Sequence, residues 1–92
     1  MVKHIVLWRL KNKADVARVK QELESMRGKI PGLLSLEVGV NFAESSPVDV
    51  GLYSEFTDRA ALSAYADHPV HAPVKQTVGS LVAERWVLDY EA

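Results

Sequence analysis

The chain has no cysteine. That absence excludes disulfides, thiolate metal sites and cysteine nucleophiles, and it fits a reducing compartment. No long apolar run suggests a membrane span, which takes about 20 such residues. Neither sign of charge dominates: eleven basic and twelve acidic residues leave a formal net charge of −1. No block of like charge stands out, so electrostatics gives no footing for nucleic acid or an anionic membrane as partner. The five glycines and four prolines are scattered, and no glycine-rich phosphate loop, internal repeat or low-complexity segment appears. Met1 leads straight into strand-like sequence without a charged leader, apolar core or small-residue cleavage site, which predicts a cytoplasmic protein.

What is present is a patterned chain of 92 residues, one domain's worth, 48% of it apolar. A domain this small buries a modest share of its surface, which favours self-association. Val2 to Leu10 reads as a strand with Val2, His4, Val6, Trp8 and Leu10 on one face and Lys3, Ile5, Leu7 and Arg9 on the other. Asp15 to Arg27 reads as an amphipathic helix through Val16, Val19, Leu23 and Met26, with Gly28 as its stop. After a turn at Ile30-Pro31-Gly32, Leu34, Leu36, Val38 and Val40 alternate as the inner face of a second strand. A polar loop, Asn41 to Pro47, precedes a third strand from about Val48 to Phe56.

Thr57 or Asp58 is placed to cap a second helix carrying Leu62 and Tyr65, which ends at the pre-proline residue His68. Pro73 suits the first turn of a short third helix stopping at Gly79. Glu84 to Tyr90 forms the last strand, with Trp86, Leu88 and Tyr90 facing one way and Arg85, Val87 and Asp89 the other. The order β-α-β-β-α-(short α)-β predicts a ferredoxin-like α+β protomer with a four-stranded antiparallel sheet. Its main helices share one face of the sheet. Strands one and four are apolar on both faces, so the face without helices needs cover, and a second copy packed sheet to sheet supplies it.

The chemistry-bearing stretch is Tyr65-Ala66-Asp67-His68-Pro69-Val70-His71. Histidine titrates near neutrality and tyrosine offers a neutral O–H donor, so a buried pair can move protons on a small molecule without metal or cofactor. The competing reading is a helix stop with two histidines that stabilise the turn. His68, before proline, reads as a turn residue. A metal site from His68, His71 and Asp67 is a poor fit, because proline separates the imidazoles and no second ligand cluster exists. His4, alone on an apolar strand face, reads as a hydrogen-bonded core residue. Arg85 and Asp89, four apart on one strand face, read either as a charge pair at the rim or as an anion anchor. Trp8 and Trp86 read as core or interface.

These residues resemble the stress-responsive dimeric α/β-barrel (Dabb) family. The likeness rests on Val2-Lys3-His4-Ile5-Val6-Leu7, Ile30-Pro31-Gly32-Leu33, Ser54-Glu55-Phe56-Thr57-Asp58, Ala61-Leu62, Tyr65, His68-Pro69-Val70-His71, Arg85 and Asp89-Tyr90, in order along the whole chain. The resemblance implies a protomer that pairs through its sheet into a dimeric barrel. It also implies a pocket between sheet and helices involving His4, Val6, Trp8, Leu23, Leu52, Arg85 and Val87. In one plant branch, of the olivetolic acid cyclase type, the matching tyrosine and second histidine catalyse an aldol closure of a linear polyketide. Those positions are Tyr65 and His71 here. Two departures bear on the substrate. The first helix offers Val19, Lys20 and Leu23 where that branch has large aromatics, and Arg85 stands where it has an aliphatic residue.

Two functions follow as expectations. One is a homodimeric, stress-related protein holding a small apolar or aromatic molecule. The other is a cofactor-independent cyclase or isomerase with His71 as base and Tyr65 as donor. A third arrangement, a structural dimer whose cavity is filled by Trp8, Leu23 and Leu62, would serve neither.

Overall fold

The structure is a computed structural model and describes all 92 residues. Four strands, β1 (Val2–Leu10), β2 (Leu33–Val40), β3 (Val50–Phe56) and β4 (Val82–Glu91), form one antiparallel sheet in the order β2-β3-β1-β4. Helices α1 (Val16–Glu24), α2 (Arg59–Ala66) and α3 (His71–Leu81) cover one face. This is the ferredoxin-like α+β fold. The core lies between sheet and helices, built from alternate residues: Val2, Val6, Trp8 and Leu10 of β1, Val50, Leu52 and Phe56 of β3, and Val19, Leu23, Val74 and Val78 of the helices.

Local chemistry sets the element ends. Asn12 caps a short 3-10 turn at Lys13–Asp15 by accepting from the Ala14 N–H at 2.9 Å. Helix α1 is consequently shorter than the Asp15–Arg27 periodicity predicts. Ser25 ends it by donating its hydroxyl to the Glu22 carbonyl at 2.5 Å, and Met26 is buried from the tight turns that follow. Gly28 and Gly32 then take positive φ, +76° and +81°. Asp58 caps α2, its carboxylate accepting from the Ala61 N–H at 2.8 Å.

Three differences from the sequence pattern have physical causes. In β2 a bulge between Leu33 and Ser35 brings Leu33 opposite Phe56 and turns Leu34 outward to 55% exposure, so Leu34 is not an inner-face residue. Strand β3 begins at Val50 because Asp49 is occupied otherwise, its N–H donating to the Trp8 carbonyl at 2.8 Å and its carboxylate accepting from the Leu10 N–H at 2.7 Å. Helix α3 runs through Gly79 to Leu81. Lys11 satisfies its last carbonyls, with the backbone N–H on Leu81 at 3.0 Å and Nζ on Ser80 at 3.1 Å. β4 therefore starts directly at Val82, two residues before the expected Glu84.

The sheet face without helices carries Ile5 and Leu7 from β1 and, in register beside them, Leu88 and Trp86 from β4. Leu7, Trp86, Leu88 and Tyr90 are all exposed in the single chain. A depression of about 430 Å³ on this face is bordered by Ile5, Leu7, Val40, Phe42 and Tyr53. No helix of the protein is long and apolar enough to cross a membrane.

Candidate functional site

A cleft of about 760 Å³ opens between the sheet and α2 and α3. Strand β1 contributes His4, Val6 and Trp8, each directed to the helix side by the period of two. Cross-strand register brings Asp89 beside His4, Val87 beside Val6 and Arg85 beside Trp8, and all three line the cleft. Leu52 from β3 and Leu23 from α1 close its floor. Trp8, Leu23 and Leu62 border the space and leave it open, so the filled-cavity arrangement does not hold.

Tyr65 and His71 come together here through a specific chain path. Helix α2 stops at Ala66 because His68 precedes proline, and the His68 and His71 N–H groups donate in turn to the Tyr65 and His68 carbonyls at 3.1 and 2.9 Å. This tight reversal folds the start of α3 back over the end of α2. The His71 ring stacks on the Tyr65 ring, centroids 4.2 Å apart and planes 17° apart. Its Nδ1–H donates to the Tyr65 carbonyl at 3.2 Å, which leaves Nε2 with a free lone pair. Burial pushes the His71 imidazole below its usual 6.5; Lys75 and His4 push the same way, against the hydrogen bonds to the Ala66 and Tyr65 carbonyls. The lowering favours the neutral imidazole, the form a base requires.

Tyr65 is buried, yet its hydroxyl has no partner within the protein, and no buried side-chain polar atom in the chain is left unpartnered. The hydroxyl therefore reaches the open space of the cleft. Burial raises its pKa to about 12, with Arg85 opposing, so the group is a proton-bearing donor throughout the neutral range. His4 packs its ring 6.0 Å from that of Tyr65 and 6.3 Å from that of Phe56, both edge-on. Its Nδ1–H donates to the Asp89 carboxylate, which fixes the ring among the residues lining the cleft.

The structure thus places His4, Val6, Trp8, Leu23, Leu52, Tyr65, His71, Arg85 and Val87 around one cleft. It does not join Arg85 to Asp89: the aspartate is taken by His4, and Arg85 makes no ion pair. His68 stays outside, its Nδ1 accepting from the Val70 N–H at 3.0 Å as a turn residue. Trp86 lies on the opposite face of the sheet. No group of three His, Asp or Glu side chains gathers as ligands for a metal ion. The sequence places Asp89 beside Arg85 and not as the partner of His4, and it does not single out Lys75, which also lines the cleft. The spacing His71 to Lys75, one helical turn, was the available signal for Lys75.

The sequence profile of the stress responsive A/B barrel domain family, Dabb, matches residues 2–92. The chain belongs to the Dabb family. Among solved structures, this Dabb chain is similar to a dimeric protein of unknown function with a ferredoxin-like fold from Bacteroides fragilis: 32% identity, TM-score 0.88, covering 99% of this chain and 95% of that one. A Dabb family protein from Mesorhizobium loti shares the fold at 23% identity and TM-score 0.85, covering 99% and 95%. A hydroxynitrile lyase from Passiflora edulis shares it at 15% identity and TM-score 0.83, covering 97% and 90%. No curated protein matches the Dabb chain closely enough to add an activity.

Proposed function

We propose that this Dabb protein works as a homodimer whose protomers each bind a small, largely apolar molecule in the cleft, and that His71 and Tyr65 transfer protons on it. The observation that carries the reading is the stacked pair itself, both members of which line a cleft whose walls are mostly apolar. His71 Nε2 takes a proton from a carbon next to a carbonyl. The C–H electron pair moves to the carbonyl oxygen as an enolate, and the Tyr65 O–H donates a hydrogen bond to that oxygen. The enolate carbon then either attacks a second carbonyl, whose new alkoxide takes the proton back from the His71 imidazolium in an aldol-type closure, or the His71 imidazolium returns the proton to a different carbon of the enolate system in an isomerisation. Neither step calls for a cofactor.

The dimer is supported by the apolar, helix-free sheet face and by the Bacteroides fragilis relative, which is described as dimeric. The absence of cysteine is consistent with placing the protein in the cytoplasm.

The test is hydrogen exchange into D2O, read by NMR, on a panel of small aryl ketones and 1,3-diketones. The protein should wash out α-protons faster than buffer; His71→Ala should abolish the excess, and Tyr65→Phe should cut it by about 10²-fold. Exchange that survives His71→Ala removes this residue as the base. Ketones that shift the cleft resonances without exchanging would leave a binding protein.

A further inference from the structure

The cleft holds two cations that nothing in the protein neutralises. Arg85 and Lys75 both line it. The arginine–carboxylate ion pairs of the chain are Arg9–Glu84, Arg27–Glu24 and Arg59–Glu91, and Asp89 is hydrogen-bonded to His4, so neither residue has a carboxylate partner. Neither donates a side-chain hydrogen bond to any protein group. The other charged side chain of the lining, Asp89, is engaged by His4. Arg85 and Lys75 against the one carboxylate of Asp89 leave one formal positive charge in excess in the lining.

The two cations also bracket the reacting pair. Arg85 acts electrostatically on the Tyr65 phenol, and Lys75, one helical turn beyond His71, acts on its imidazole. Both lie on the solvent side of the cleft while the apolar wall of Val6, Trp8, Leu23 and Leu52 lies within. A ligand that matches this lining has an apolar body for the interior and a single negative charge for the rim.

We propose that the ligand of the cleft is a monoanionic carboxylate on an apolar or aromatic body, its carboxylate held by Arg85 and Lys75. The inference deepens the functional reading above and rests on it. A carboxylate carries the single charge that the lining is short of, and its two oxygens suit the planar guanidinium fork. A phosphate monoester, near two negative charges, would leave the lining over-neutralised. Anchoring the carboxylate at the rim leaves the carbons of the ligand body beside His71 Nε2 and the Tyr65 hydroxyl.

The test uses three probes of one shape: 4-phenylbutanoate, the neutral 4-phenylbutanamide and the cationic 4-phenylbutylamine. Their binding is followed on the full-length protein by NMR, reading the His71 and Tyr65 ring resonances. The carboxylate should bind about ten- to a hundred-fold more tightly than the amide, the span expected of charge-assisted hydrogen bonds, and the amine least. Arg85→Gln with Lys75→Gln should bring the carboxylate down to the level of the amide in a protein whose spectrum remains folded. Each single variant should account for part of the loss. Equal affinities for all three probes would overturn the carboxylate and leave the cleft a binding site. Failure of every probe to move the cleft resonances would overturn the binding reading and the carboxylate with it.

Discussion

His71 and Tyr65 hold one another twice, ring against ring at 4.2 Å and Nδ1–H to carbonyl at 3.2 Å. The tyrosine thus sets both the plane and the tautomer of the histidine that stacks on it. Because the second contact uses the backbone, Tyr65→Phe should leave the position of His71 intact while removing the hydroxyl. The two roles are separable: His71 resonances should keep their pattern in Tyr65→Phe, and a wholesale shift would mean that the hydroxyl, not the ring, positions the histidine.

The depressed pKa of His71 makes stability depend on pH with a defined sign. As pH falls below 6.5, the ordinary value, the unfolded chain takes up a proton that the folded chain resists. The contribution of His71 is complete above that value and is lost as pH drops through it toward the folded pKa. Urea midpoints between pH 5 and about 8 should rise with pH, and His71→Ala should flatten that slope. An unchanged slope would show that His71 titrates normally in the folded protein.

Asp89 holds His4 in one tautomer. Asp89→Asn should alter the nitrogen shifts of His4 and lower stability by about 1 kcal/mol, a modest figure because the aspartate is half-exposed. Unchanged His4 shifts would show that the pair does not persist in solution.

Gly28 and Gly32 share a left-handed backbone but not their surroundings. At Gly28 a Cβ would meet open space; at Gly32 it would lie 2.6 Å from the Cβ of Ala61 on α2. Gly28→Ala should cost about 1 kcal/mol, the conformational penalty alone. Gly32→Ala should cost about 3 kcal/mol, because α2 must also move away. Equal costs in chemical denaturation would remove the close approach of the turn before β2 to α2 as a determinant of the fold.

The proposed dimer face has a direct probe at Leu7, which is 38% exposed at the centre of the helix-free sheet surface. The protein should run as a dimer in light scattering at micromolar concentration. Leu7→Asp should yield a monomer or an unfolded chain, because a carboxylate would be stranded in an apolar contact. A dimer that survives the substitution would put the interface elsewhere.

The fold was legible because its signals were local and mutually consistent. Period-two alternation in β1 and β4 named the correct faces, and Asp58 and His68-Pro69 bounded α2 where the hydrogen bonds now show. What escaped was set by contacts distant in sequence. Leu34 looked inward until the bulge opposite Phe56 displaced it. Gly79 looked like a helix end, since nothing local announced that Lys11 would cap the carbonyls of Ser80 and Leu81. The same holds at the site. Tyr65 and His71 stood close in the chain and could be paired by eye, whereas His4 and Asp89 are 85 residues apart and meet only through the β1–β4 register.

That register gives β4 a division of labour by parity. Its even positions, Trp86, Leu88 and Tyr90, look out from the helix-free face; its odd positions, Arg85, Val87 and Asp89, look into the cleft. Under the proposed function, ligand preference and self-recognition would therefore be written on one edge strand in two interleaved alphabets. Substitutions at odd positions would then retune what the protomer accepts without altering the surface another copy would meet. An insertion or deletion of one residue anywhere in β4 would scramble both messages at once.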